Sequence, residues 1–183
     1  NAIANGIDNG VSYFNYRGWY GMSGWHNGNI NSLNNWKMLP LAVFLTCGVG
    51  DFAGTEDCRS ERFLKAGSPN CPRGAIAAIA TATIETHTCY NNCIDAGIFC
   101  GIFAENITQP GIALNRGKLN MYLNYPANPA NAHEQFFYWN NLMGDPGLEL
   151  WTGVPQNINA DYNNQIPIGS NHFEIFVYDN NDN

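Results

Sequence analysis

The stretch that most constrains the fold is residues 41–52, LAVFLTCGVGDF, in which an apolar run leads into Cys47 and two glycines. A continuous apolar run that follows a proline and ends in glycines predicts a buried strand of a parallel sheet. Ligands of open α/β sheets bind outside the carboxyl ends of the strands. Cys47 therefore stands where a nucleophilic thiol would be placed. The alternative is a structural cysteine in the core, since cysteine is among the residue types most often buried.

Residues 1–152 as a whole predict an α/β domain with a mostly parallel sheet flanked by helices. Residues 1–10 are small and turn-rich, and we interpret them as the tail of a preceding element. The predicted strands are 11–16, 41–47, 74–82 and a short one at 148–151. The predicted helices are 60–66, 94–107, 112–123 and 131–142. Strand 41–47 is expected in the centre, between strands 11–16 and 74–82.

Residues 153–183 have a different sequence pattern. They show little helical pattern and two extended stretches, 158–162 and 173–178. Two strands cannot bury a core alone. This segment is therefore predicted to be the beginning of an incomplete β-sandwich domain.

Charge and hydropathy exclude two classes of partner. Only 13% of the residues are charged, and the excess of 15 Asp and Glu over eight Lys and Arg gives a net charge of −7. Such a surface is not expected to follow nucleic acid phosphates. No apolar stretch is long enough to span a membrane. The chain begins with Asn1 rather than Met, so we expect a processed chain or a portion of a longer one.

The 6 cysteines indicate an oxidising compartment. Many pairings are open to them, and the sequence alone does not choose. We predict a bridge between Cys58 and Cys71, which enclose a polar loop and would stabilise the fold by about 3 kcal/mol. Cys89 and Cys93 are close enough for a local bridge. Cys47 is predicted to stay free, as a nucleophile must.

Three blocks in order resemble gingipain-type cysteine peptidases of family C25. They are Asn15-Tyr16-Arg17-Gly18, residues 46–52 (TCGVGDF) and residues 144–150 (GDPGLEL). The resemblance covers residues 11–152, and 153–183 is similar to the start of the immunoglobulin-like domain that follows the peptidase domain in that family. It implies a caspase-like fold, a Cys–His dyad and secretion to a bacterial surface. It also implies that residues 1–152 are the C-terminal half of such a domain, within a longer chain.

One position departs from the family pattern. The family's histidine stands in a Gly-His-Gly signature after the first strand, whereas this sequence has Gly18-Trp19-Tyr20-Gly21. Cys47 matches the nucleophile, but Trp19 replaces its base. An indole N–H cannot accept a proton.

Two other histidines are candidates for the missing base. His26 lies further along the same loop, and His87 follows the carboxyl end of the neighbouring strand. The alternative for each is a histidine without a catalytic role. His87, Cys89 and Cys93 also have a loose zinc-ligand spacing, although zinc normally takes four ligands, and a disulfide is the competing interpretation. No metal is therefore assigned to the site.

Further residues of the site loops are candidates for substrate binding. They are Gly18, Trp19, Tyr20, Trp25 and Gly48. The aromatic members would hold a substrate side chain or a glycan, or fill the groove left by the missing histidine. No cofactor is predicted. Calcium is the one structural ion considered, because the loop that follows contains three carboxylates, Asp51, Glu56 and Asp57.

Two functions follow from these observations. The first is a secreted cysteine endopeptidase that acts on peptides or proteins, with Cys47 as nucleophile and an unusual base. The second is an inactive peptidase-like module that serves as a structural or binding domain on the cell surface. The distance between the Cys47 sulfur and the nearest imidazole discriminates between them.

Overall fold

A four-stranded sheet organises the first of two compact units, Asn1–Thr152. The computed structural model describes residues 2–154 and 157–179. The strands of this unit are β1 (Tyr13–Tyr16), β2 (Leu41–Phe44), β3 (Gly67–Ser68), β4 (Cys71–Pro72), β5 (Ala77–Thr81) and β6 (Asn140–Met143). The helices are α1 (Ala2–Asp8), α2 (Asn27–Asn31), α3 (Arg59–Lys65), α4 (Thr88–Ala104), α5 (Pro110–Asn124) and α6 (Ala132–Trp139), with a 3-10 turn at Pro129–Asn131.

The strand order of the sheet is β1-β2-β5-β6. The first three strands are parallel, and β6 is antiparallel to β5. Strands β3 and β4 form a separate two-stranded ribbon. The predicted mostly parallel sheet is confirmed, and so is the central place of the strand that leads to Cys47.

Helices cover both faces of the sheet because successive strand residues point to opposite sides. On one face, Leu41 and Val43 pack with apolar residues of α4, α5 and α6. On the other face, Ala42 and Phe44 pack with residues of α1, α2 and α3. All four strand residues are at most 1% exposed. A strand buried on both faces has a continuous apolar sequence, as residues 41–44 do.

Helices α4 and α5 approach each other closely through two glycines. A Cβ on Gly97 would lie 2.8 Å from the Cα of Gly117, and a Cβ on Gly117 would lie 2.6 Å from the carbonyl oxygen of Ile94. Real Cβ atoms do not approach backbone atoms that closely, so the two helix backbones are in contact. A larger residue at either position would push the helices apart.

We expect Gly117→Ala to lower the free energy of unfolding by about 1–3 kcal/mol, because overpacking exceeds the gain in helix propensity. Gly6→Ala in α1 is the matched control, since a Cβ there meets nothing within 4 Å. That variant should be neutral or stabilising by up to about 1 kcal/mol. Urea unfolding followed by circular dichroism measures both. Equal effects at the two positions would contradict the close helix contact.

The structure corrects several predicted assignments. Residues 2–8, assigned to a turn-rich tail, form α1, which buries Ile7. The predicted helix 131–142 ends at Trp139, and Asn140 begins strand β6 with its side chain bonded to Thr81 Oγ1 at 2.8 Å. Residues 148–151 are not a strand. Their backbone instead bonds to a loop, through Leu150 N–H to the carbonyl of Thr108 at 2.8 Å.

All six cysteines are free in the structure, so the predicted Cys58–Cys71 bridge is wrong. Cys58 is the N-cap of α3, and its sulfur lies 3.2 Å from Ser60 Oγ. Cys71 instead pairs through its backbone with Ser68 across the β3–β4 ribbon. The local Cys89–Cys93 bridge is also absent, and Cys47 is free like the other five.

The second compact unit is Gly153–Asn183. It contains an antiparallel pair, β7 (Ile158–Tyr162) and β8 (Ile175–Asp179). Both predicted extended stretches are thus strands, and the pair is consistent with the start of a sandwich. Residues 155–156 and 180–183 of the predicted domain lie outside the described residues. No helix in the described part of the chain has the length and apolar character to cross a membrane.

Candidate active site

Cys47 lies three residues beyond the end of β2, at the carboxyl edge of the sheet. Hydrogen bonds join it to the loops that follow the two neighbouring strands. Gly21 N–H donates to the carbonyl of Cys47 at 2.9 Å, and Gly48 N–H donates to the carbonyl of Thr83 at 2.8 Å. These bonds hold Cys47 between the loop after β1 and the loop after β5.

Gly48 allows a close approach next to Cys47. Its φ of +69° is in the left-handed region, which favours glycine. A Cβ here would lie 3.1 Å from Cε2 of Tyr20 and 3.4 Å from Cγ2 of Ile84. The space beside Gly48 is therefore bordered by side chains of the chain itself.

The Cys47 sulfur is half-buried and has a hydroxyl group as its hydrogen-bond partner. Its Sγ lies 2.9 Å from Oγ1 of Thr86. Among the described residues, no histidine nitrogen is within hydrogen-bond distance of this sulfur. A hydroxyl can share a proton with the sulfur but is a poor general base at neutral pH.

Arg17 places a positive charge near Cys47. Burial lowers the pKa of Arg17, while attraction to Asp95 and to Cys47 opposes that effect. The guanidinium donates from Nε to Oδ1 of Asn92 in α4 at 3.1 Å. Asn15 donates to Oδ2 of Asp95 at 3.1 Å, and burial raises the pKa of Asp95. Side chains from the end of β1 and the residue that follows it thus form a polar network with α4.

The two histidines proposed as replacement bases lie elsewhere. His26 is the N-cap residue of α2 with an exposed side chain, and its backbone N–H donates to Oδ1 of Asn29 at 2.9 Å. His87 is the exposed N-cap residue of α4, and its Nδ1 lies 2.8 Å from Sγ of Cys89. The structure brings neither imidazole to Cys47.

The aromatic candidates divide into two groups. Trp19 is 80% exposed and Tyr20 is 56% exposed, so both can contact a bound molecule, and Gly18 is exposed beside them. Trp25 is only 2% exposed and stacks on Phe63 with ring centroids 5.7 Å apart. Its predicted place in the binding groove is wrong, because its indole fills the core.

One member of the predicted carboxylate cluster, Asp57, makes ion pairs within the chain. Asp57 contacts Arg62 at 2.8 Å and Lys65 at 2.6 Å. The hydrogen bond from Lys65 is the main reason that the pKa of Asp57 is lowered. In residues 2–154 and 157–179, no three His, Cys, Asp or Glu side chains are grouped closely enough to hold a metal ion. Among these described residues, therefore, neither the loop considered for calcium nor the His87, Cys89 and Cys93 set considered for zinc forms such a group.

Comparison with known proteins identifies the family of the chain. The model of peptidase family C25 matches residues 1–151. The chain belongs to peptidase family C25. Within this family, Gingipain R2 of Porphyromonas gingivalis is 26% identical over 182 residues, which cover 94% of this chain and 24% of that protein. Gingipain R1 of the same organism is 26% identical over 200 aligned positions, covering 95% of this chain and 20% of that protein. The C25 chain thus spans about a quarter of the length of these relatives.

Solved structures show the same fold as this C25 chain. The crystal structure of the Arg-specific cysteine proteinase gingipain R superposes with a TM-score of 0.77 at 23% identity, over 96% of this chain and 42% of that one. A second structure, described as a protease, has a TM-score of 0.72 at 15% identity and covers 95% of this chain and 43% of that one. The caspase-like α/β fold predicted from the sequence is confirmed.

Arg17, Thr86 and Asp95 are the residues of this site that the sequence did not reveal. Arg17 carried a usable signal, because it is one of only eight Lys and Arg and directly follows a predicted strand. Thr86 carried the same signal as His87, because it follows the strand predicted next to that of Cys47. Asp95 carried none, since its contacts with Asn15 and Arg17 are formed only in the folded chain.

Proposed function

We propose that this chain carries the nucleophile side of a cysteine endopeptidase site, in which Cys47 attacks a carbonyl of a bound peptide. Hydrolysis is slow because Trp19 stands at the position of the base. The observation that carries the proposal is the free, half-buried thiol of Cys47 at the carboxyl end of the central strand. Membership of family C25 supports the same reaction class.

The polar surroundings of the sulfur fit a nucleophile better than a core cysteine. Reactive cysteines stand beside positive charge in partly exposed places, whereas inert ones are buried among apolar groups. Arg17 is near enough for its charge to interact with Cys47. Thr86 Oγ1, 2.9 Å from the sulfur, orients the thiol.

A peptide fits the exposed surface next to Cys47. Trp19 and Tyr20 present large aromatic faces to solvent, and aromatic faces bind side chains with little loss of conformational entropy. The residues that we propose for substrate binding are Gly18, Trp19, Tyr20 and Gly48. The protein is further proposed to be secreted or held at a bacterial surface, as part of a longer chain.

A second candidate function is favoured by the absence of an imidazole near Cys47 among the described residues. In that case the domain binds peptides or a surface partner without cleaving them. A thiol without a base is only a few per cent thiolate at neutral pH. Binding would then persist while turnover is absent.

The test compares the purified protein with its Cys47→Ala variant on a fluorescent peptide library. We expect slow turnover by the natural sequence, loss of turnover in Cys47→Ala, and equal peptide binding by both in fluorescence anisotropy. Binding without turnover in both proteins would select the second candidate. Turnover that survives Cys47→Ala would exclude Cys47 as the nucleophile.

A further inference from the structure

A thiol–imidazole pair lies outside the Cys47 site, at the amino end of α4. The Sγ of Cys89 is 2.8 Å from Nδ1 of His87, and the backbone N–H of Cys89 donates to the same nitrogen at 3.3 Å. His87 is exposed and Cys89 is half-buried, so a small molecule in solution can reach the sulfur. Cys89 therefore has the imidazole partner that Cys47 lacks.

Cys89 lies at the amino end of a long helix. It is the second residue of the 17-residue helix α4, where free N–H groups and the helix dipole stabilise an anion. The imidazole of His87 can take the thiol proton. Tyr125 also contacts this sulfur, and the hydrogen bond with Cys89 is the main reason that the pKa of Tyr125 is raised.

Cys93 supplies a second thiol one helical turn further along α4. Residues four apart lie on the same face of a helix, with Cβ atoms about 5–6 Å apart. Burial, and then the nearby Cys89, raise the pKa of Cys93. Asn120 Nδ2 donates to the Cys93 sulfur at 3.4 Å. The two thiols thus differ in their neighbours, because an imidazole adjoins the sulfur of Cys89 while an amide donor adjoins the sulfur of Cys93.

We propose that Cys89 is a nucleophilic thiol that reacts with low-molecular-weight disulfides, with Cys93 as the resolving thiol. Cys89 transfers its proton to His87, and its sulfur attacks one sulfur of the small disulfide. The S–S bond of that molecule breaks, and the first small thiolate leaves with the proton from His87. The product is a mixed disulfide on Cys89.

The second step closes a bridge between Cys89 and Cys93, which requires the first turn of α4 to open, because a disulfide needs Cβ atoms about 3.5–4.5 Å apart. Cys93 loses its proton to water, and its thiolate attacks the sulfur of Cys89. The second small thiolate leaves and takes up a proton from water. Overall, two protein thiols are oxidised by two electrons, and one small disulfide is reduced to two thiols. A small thiol in excess reverses both steps.

Oxidised glutathione is the probe for this reaction, with each cysteine followed over time by peptide mass mapping of the natural protein. Cys100 is the matched control, since it is the more exposed thiol and its recorded partner is a carboxylate, Glu105, at 4.0 Å. We expect Cys89 to react roughly ten-fold faster than Cys100, and the product to convert to a Cys89–Cys93 bridge.

Two variants separate the roles of the partners. His87→Asn keeps a side-chain acceptor for the helix cap but removes the base, so Cys89 should slow to about the rate of Cys100. Cys93→Ser should leave the first step unchanged and make the mixed disulfide on Cys89 accumulate. Circular dichroism of each variant checks that α4 remains folded.

Either of two results would overturn the proposal. One is modification of Cys89 no faster than Cys100 in the natural protein. The other is a rate at Cys89 that His87→Asn leaves unchanged. A stable mixed disulfide on Cys89 in the natural protein, with no bridge to Cys93, would refute the resolving role of Cys93.

Discussion

Trp19→His is expected to raise peptide turnover by about 10²-fold, the lower end of what a general base contributes. The Trp19 side chain is 80% exposed, so its removal costs no core packing. The loop that carries it is already held near Cys47, because Thr46 Oγ1 donates to the carbonyl of Gly18 at 3.0 Å. An imidazole on this loop could accept the thiol proton, which the indole cannot.

The measurements are turnover of a peptide library and the rate of iodoacetamide labelling at Cys47. Labelling must be assigned by peptide mass, because Cys89 is also expected to react. Trp19→Ala is the matched control, since it removes the indole without adding a base and should gain nothing.

Tyr20 makes this loop differ from the family's Gly-His-Gly signature, so a second variant combines Trp19→His with Tyr20→Gly. If Tyr20 displaces the new imidazole in the single variant, the double variant should bring that imidazole to its intended position. If neither variant exceeds Trp19→Ala in turnover or in Cys47 labelling, the residue at position 19 is not what limits peptide cleavage.

Phe63→Ala is expected to lower the free energy of unfolding by about 3–5 kcal/mol. Phe63 is fully buried. Its ring centroid lies 5.1 Å from that of Phe44, 5.7 Å from that of Trp25 and 5.9 Å from that of Phe14. Truncation would leave a cavity between Phe44 in the sheet and Trp25 in the loop after β1.

Urea unfolding of the natural protein and the variant measures this loss. Phe52→Ala is the control, since Phe52 is 53% exposed and its removal should change stability by no more than about 0.5 kcal/mol. A loss at Phe63 as small as that at Phe52 would show that the aromatic cluster does not stabilise the fold.

The centre of the sheet was predictable because its residues carry one unambiguous signal. Residues 41–44 are apolar throughout and buried on both faces, and this pattern admits few other structures. The sequence of strand β6, in contrast, predicted a helix. Asn140 and Asn141 are poor strand formers that follow a helical pattern, and they enter the sheet through tertiary contacts such as the bond between Thr81 and Asn140.

The position of Cys47 was predictable from the sequence, but the side chains around it were not. Cys47 could be placed from its strand. Its partner Thr86 is 39 residues away in the sequence, and no local pattern connects the two. For His87 the position was predictable but the contact was not. A histidine between a strand and a helix can point towards the neighbouring strand or towards its own helix. His87 contacts Cys89 because α4 begins directly after it.

The two hydrogen bonds that hold Cys47 between its neighbouring loops join backbone atoms only. Their strength does not depend on which side chains occupy positions 19, 20 or 84. Mutation can therefore replace the chemistry of this surface while the sulfur keeps its place, so loss of a catalytic histidine need not be followed by loss of the fold. Such a scaffold can acquire a new binding partner, or regain a reaction, through a few substitutions in its loops.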